Sequence, residues 1–172
     1  MDLKDTIQQR YSVRRFSNKR VPLNLIHEII KFANLAPSAG NLQARDFIIV
    51  DDLEIKKRLS NAALNQEFIV EAPINIIVCA NLNRISSYGK RGRELYCIQD
   101  SAAAIEHILL LAVDNALGAC WIGAFDEIEV TKILNLPSYA KPVAIIPIGY
   151  HIGMVDYTSR IDTKKLIHYN GW

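Results

Sequence analysis

Two periods of apolar residues run along the chain. Leu25, Ile26, Ile29, Ile30 and Ala33 recur at three- and four-residue spacing, with Glu28 and Lys31 outside the stripe. This predicts an amphipathic helix from Pro22 to Ala36, with Pro22 in its first turn and Pro37 stopping it. Leu3 and Ile7 share one face of a short helix over 2–10 that Asp2 can cap. Asp52 can start a third helix, reaching about Ala63, with Ile55 and Leu59 inward and Lys56, Lys57 and Arg58 in solvent. Asp126 and Glu129 form a capping-box pattern that opens a short helix through Leu134.

The second pattern is the continuous apolar run of strand length. Phe47–Val50, Ile74–Ala80, Ala119–Phe125 and Val143–Tyr150 each predict a strand. The first reads as central and buried. Asn75 reads as an edge or interface position in the second, and Pro147 places the last at an edge or bulge. From Asn81 to Arg93 the pattern lapses into Ser, Tyr, Gly and basic residues, which predicts a surface loop or lid. The stretch from Glu94 to Leu117 is apolar all round and must be covered on every side. In a chain this short, that calls for a second subunit. Gly118 closes it in the position of a C′ glycine.

Length and charge narrow the class. The 172 residues, half of them hydrophobic, fit one domain spanning 1–172 with a sizeable core. Twenty basic and 18 acidic residues leave a net charge of +2, too balanced to argue for a nucleic-acid partner. Cys79, Cys97 and Cys120 are odd in number and far apart, which suits neither a metal site nor a disulfide framework. They read as reduced, buried thiols of a cytoplasmic protein. The polar start, Met1 to Asp5, is not a signal peptide, and the apolar run Ile108–Val113 is too short to span a membrane.

Two stretches carry candidate chemistry. Arg10, Ser12 and Arg14 alternate, so in an extended segment they share a face. Two guanidinium forks and a hydroxyl could grip a phosphate. The same pattern also fits a solvated basic edge strand. The turn Ala36-Pro37-Ser38-Ala39-Gly40-Asn41-Leu42-Gln43 is rich in short polar groups, and Gly40 permits a positive φ. It suits a planar polar ligand or an ordinary helix–strand connection. No nucleophile elbow, dinucleotide-binding glycine turn or phosphate-binding Gly-Lys-Ser loop is present.

Six pieces, in order, resemble the FMN-dependent nitroreductase family across nearly the whole chain. They are Arg10-x-Ser12-x-Arg14-x-Phe16; Ala36-Pro37-Ser38 with Asn41 and Gln43; Asn65-Gln66 with Ala72-Pro73; Gln99-Asp100 with Ala102; Leu117-Gly118 with Trp121 and Gly123; and Ile148-Gly149-Tyr150. The resemblance implies an α+β fold, with helices around a central, mainly antiparallel sheet, working as an intertwined homodimer. It implies FMN at the subunit interface, with Arg10, Ser12, Arg14 and Arg160 on the phosphate. Pro37, Ser38 and Asn41 would come from the other subunit to line the flavin. Asn65 and Gln66 would reach its polar parts, and the backbone of Gly123 and Ala124 would face the reactive N5 edge. No catalytic side chain and no metal is needed, because the cofactor carries the chemistry. The implied activity passes electrons from NAD(P)H to a small acceptor such as a nitroaromatic or quinone, with ping-pong kinetics. The alternative is an FMN-binding or flavin-modifying protein without nicotinamide turnover. One departure stands out: Ala44 and Arg45 follow Gln43 where family members often carry Pro and an aromatic residue.

Overall fold

Eight consecutive buried residues, Ile74–Asn81, form the strand on which the rest of the molecule is laid. The computed structural model describes residues 1–153 and 158–172. In chain order its elements are α1 (Leu3–Gln9), α2 (Leu23–Ala33), β1 (Arg45–Val50), α3 (Leu53–Ala62), α4 (Phe68–Glu71), β2 (Ile74–Asn81), α5 (Gly89–Arg91), α6 (Cys97–Asp114), β3 (Gly118–Ala119), α7 (Glu127–Ile133) and β4 (Ala140–Gly149). The strands make one antiparallel sheet in the order β1-β2-β4-β3. This is the expected α+β arrangement.

Alternation along β2 and β4 divides the core in two. Ile74, Ile76, Val78, Ala144, Ile146 and Ile148 face α2 and α6. Ile77, Cys79 and Ile145 face the other way, onto Leu59, Ile69, Val130 and Ile133 of α3, α4 and α7. Capping follows the sequence: Asp2, Asp52 and Asp126 each accept a backbone N–H at the start of α1, α3 and α7.

Several local expectations change. β1 is an edge strand, because it pairs only with β2. Asn75 is central instead of peripheral, with Nδ2 donating to Ile69 O at 2.9 Å. Pro147 lies in an interior strand; its carbonyl accepts from Cys120 N, so its missing N–H faces the side where β3 has already ended. Lys56 is buried, not solvated, with Nζ donating to Ala72 O at 2.9 Å. Burial pulls its pKa down, against Asp51 and Asp52, which raise it. α2 ends at Ala33, four residues before Pro37. Residues 86–96 are helical turns leading into α6, anchored by the buried Ile85, and do not form a loop.

α6 ends on Ala116, whose φ is +56°, with Ala116 N bonded to Val113 O and Leu117 N to Ala112 O. That is a Schellman closure with alanine in the glycine position. Gly118 is needed for another reason: a Cβ there would collide with Val13. By length and composition alone, the helical stretch Ser86–Asp114 could cross a membrane. Here Ile105, Ile108, Leu109 and Ala112 of that stretch are packed in the core.

Candidate functional site

Residues 10–16 run extended beside the β3 edge. Ser12 bridges Ala119 in parallel, Val13 N donates to Ala119 O at 3.0 Å, and Phe16 pairs with His151. Val13 and Phe16 are buried against Ala72, which turns Arg14 and Ser12 outward. Burial thus divides the segment, Val13 and Phe16 inward and Ser12, Arg14 and Arg15 outward, although the alternation itself does not run through Phe16.

The polar side opens on a cleft of about 650 Å³. α1 supplies Ile7 and Gln8, the extended segment Arg10, Tyr11, Ser12 and Arg14, and the C-terminal tail Thr158 and Arg160. Arg160 is held there by Nη1 donating to Thr158 O and Oγ1 at 2.9 and 2.8 Å. Residues almost 150 positions apart thus meet as three guanidinium groups and a hydroxyl. Among the described residues, none of the three arginines makes an ion pair. Cys120 lies beneath, 2% exposed. Burial pushes its thiol pKa up, while Arg14, the Ser12 hydroxyl and Arg10 pull it down. Guanidinium forks on one wall, with Arg160 using only its Nη1 on neighbouring oxygens, fit a phosphate monoester dianion.

From Ala119 the chain continues along β4, Ile122 pairing with Ile145, to the exposed Gly123 and Ala124. Open space lies over Gly123. Gln66 Nε2 donates to Ala63 O at 2.9 Å and sits 3.5 Å from Ala124 O. Asn65 beside it is exposed, with φ +58°. The exposed backbone at 123 and 124, with Gln66 beside it, thus follows along the chain from the Ala119 position that pairs with Ser12.

Pro37, Ser38 and Asn41 are elsewhere. Their turn precedes β1, at the opposite edge of the sheet, with β2 and β4 between. One chain does not bring them to the arginine cleft. The turn is tightly built: Gly40, Asn41 and Gln43 have φ of +56°, +55° and +45°. Ser38 Oγ accepts from Gln43 N at 3.0 Å, and Asp100 Oδ1 from Ala39 N at 2.9 Å. A cavity of about 690 Å³ beside it is lined by His27, Lys31, Asn34, Gln43, Asp46 and Arg84, among others. There Arg84 is paired with Asp46.

Sequence reasoning missed Gln8, Tyr11 and Thr158 as cleft walls, and Cys120 as the buried thiol that feels Ser12, Arg14 and Arg10. Tyr11 and Gln8 flank the arginine alternation, but nothing in the sequence shows that α1 folds over that face. Arg45 registers only as a departure from a family pattern; four of its bonds reach back to residues 34–37 and one crosses to Asp100.

A profile of the nitroreductase family matches residues 7–67 and 61–150. An Archaeoglobus fulgidus protein named as an NADH dehydrogenase/NAD(P)H nitroreductase is 32% identical over 172 residues, covering 96% of each chain. The FMN reductase (NADPH) of Bacillus subtilis is 25% identical over 180 residues, covering 96% of this chain and 72% of its own. The structure of B. megaterium NfrA2 superposes with a TM-score of 0.93 at 28% identity, covering all of this chain and 75% of that one. The chain belongs to the nitroreductase family.

Proposed function

We propose that the protein is an NAD(P)H-dependent flavin oxidoreductase that holds FMN along the track from the arginine cleft to Gly123 and Ala124. The observation that carries this reading is the cleft itself: Arg10, Arg14 and Arg160 line it with Ser12, and among the described residues none of them is paired with a carboxylate. FMN, when bound, supplies the centre that takes electrons from a reduced nicotinamide and returns them to an acceptor. The chain's part is to bind and orient. The three guanidinium groups and the Ser12 hydroxyl hold the phosphate. The small residues at 123 and 124 leave backbone N–H groups free to meet the ring edge. Asn65 and Gln66 offer amides to its polar parts.

A second copy would bring Pro37, Ser38 and Asn41 to the ring. The apolar surface left on one chain supports a homodimer: Leu3 and Ile7 of α1 are 65% and 54% exposed, and Trp121, Leu166, Ile167 and Trp172 are also in solvent. The acceptor class is a small nitroaromatic or quinone. Donor and acceptor share one site in turn, so double-reciprocal plots should be parallel. The name of the B. subtilis relative makes NADPH the first donor to try.

The test is an anaerobic absorbance spectrum of the purified protein before and after NADPH, then NADH. A two-banded yellow spectrum that bleaches supports the reading. A protein that stays colourless after incubation with FMN overturns it. A yellow protein that neither nicotinamide bleaches leaves a flavin carrier in its place.

A further inference from the structure

Arg45 is 2% exposed at the start of β1. Its guanidinium donates to five oxygens: Asn34 Oδ1 at 3.2 Å, Asn34 O at 2.9 Å, Ala36 O at 2.6 Å, Pro37 O at 3.3 Å and Asp100 O at 2.8 Å. Asn34, Ala36 and Pro37 lie between the end of α2 and the polar turn. Their carbonyls fall where a helix has run out of its own donors. The fourth carbonyl belongs to α6, and the Asp100 carboxylate also takes Ala39 N from inside the turn. On the other side, the Tyr88 hydroxyl lies 2.7 Å from where a Cβ on residue 40 would stand. The turn is therefore held between α6, β1 and Tyr88, and Arg45 ties the first two to the chain that enters it. A run of positive φ at 40, 41 and 43 is costly for the two residues that are not glycine and needs such outside support.

We propose that Arg45 is a positioning residue for the flavin ring. Its planar fork sets the backbone that presents Pro37, Ser38 and Asn41, and it takes no part in holding the phosphate. The inference rests on the FMN reading above, with the turn serving the partner's site. Lysine cannot substitute: one ammonium has three donors from a single point and cannot span oxygens on both sides of the turn. Arg45 acts on ring-dependent properties, whereas Arg10, Arg14 and Arg160 act on retention.

The experiment compares FMN-loaded parent, Arg45→Lys, Arg45→Met and Arg14→Ala by FMN Kd, visible-region circular dichroism of the bound flavin, and kcat with NADPH. Arg45→Lys should keep FMN within about threefold of the parent Kd, because the phosphate grip lies at a distant edge. It should change the flavin dichroism and lower kcat about tenfold or more, as misplacement of a reacting partner does. Arg14→Ala should do the reverse, weakening retention while the flavin that stays bound keeps the parental dichroism. If Arg45→Met does not fold, Arg45→Lys decides. Parental dichroism and kcat in Arg45→Lys, or a loss of FMN equal to that of Arg14→Ala, overturns the inference alone. A parent that binds no FMN overturns the flavin reading and this one with it.

Discussion

The β3-edge cleft and the β1-edge turn both depend on arginine, and they use it in opposite ways. In the cleft, Arg10, Arg14 and Arg160 face one another with no carboxylate among the lining residues. At the turn, Arg45 is buried and meets five oxygens of its own chain. Arg84 beside it is likewise answered, by Asp46 and by the carbonyls of Gln43 and Arg45. A guanidinium whose donors are all taken is architecture. One whose donors are left over, beside two more of its kind, accumulates repulsion that an anion would relieve. The number of answered donors separates the two regions where residue type does not.

Stability should break this comparison first, and by the largest amount. Removing Arg45 leaves the buried carbonyls of Ala36 and Asp100 without their donor, and the oxygens of Asn34 and Pro37, nearer the surface, without theirs. Arg45→Met should therefore cost about 2–5 kcal/mol, from two buried acceptors at roughly 1–3 kcal/mol each. Arg14→Met removes an exposed side chain and should fall within about 0.5 kcal/mol of the parent. Urea denaturation of the two variants side by side measures both. Equal losses would mean that the cleft arginines are structural after all.

Affinity should invert that order. Arg14→Ala removes a charge-assisted contact of about 1.5–3 kcal/mol, so the FMN Kd should rise roughly 10- to 100-fold. Equilibrium dialysis against FMN checks it, and an unchanged Kd would remove Arg14 from the phosphate site. Gly118→Ala tests the cleft from behind. The new methyl meets Val13, whose strand carries Ser12 and Arg14. Overpacking there should cost about 1–3 kcal/mol, and FMN affinity should fall with it. A variant that loses stability but keeps its affinity would show that the strand can retreat without disturbing its outer face.

The sequence made the cleft more legible than the turn. Alternation in a strand is a local signal, and Arg10, Ser12 and Arg14 carry it within five residues. The resemblance added Arg160, which no local pattern joins to them. The longer helices and three of the four strands were likewise legible, because apolar period is set by neighbours a few residues away; the run Ala119–Phe125 read as a strand, but β3 is only Gly118–Ala119 with a single further bridge at Ile122, and α4 was not foreseen. What failed was whatever depended on remote packing. Lys56 sits among charged neighbours yet ends on Ala72 O. The run 81–93 reads as irregular because Gly and Ser break its pattern, but beyond the buried Ile85 it is helical from Ser86 onward. β1 read as central because an apolar run does not say how many strands flank it. Gly118 looked like a helix cap when its neighbour Val13, over a hundred residues earlier, was the cause. Arg45 is a further case, since its partners come from two segments, the chain leaving α2 and helix α6.

The smallest effect sharpens the comparison electrostatically, through two thiols. Cys79 pairs with Asp46 across β1 and β2. Burial pushes its pKa up from 9.0 to about 12, and Asp46 adds to the rise. Cys120 is also raised by burial, but Arg14, Ser12 and Arg10 counter it. Because each thiol is raised, its neutral form is favoured by folding. The associated stability is present below the ordinary thiol range and is lost as pH rises toward the folded value. Alkylation followed by peptide mass spectrometry across alkaline pH should therefore find Cys120 reacting at lower pH than Cys79. Arg14→Ala should move the Cys120 onset upward and leave Cys79 where it was. Inorganic phosphate added to the parent should push Cys120 the same way, because an anion seated on the guanidinium groups cancels the field that favours the thiolate. If phosphate leaves Cys120 unmoved while Arg14→Ala shifts it, the cations are felt at Cys120 but do not hold a phosphate in the cleft.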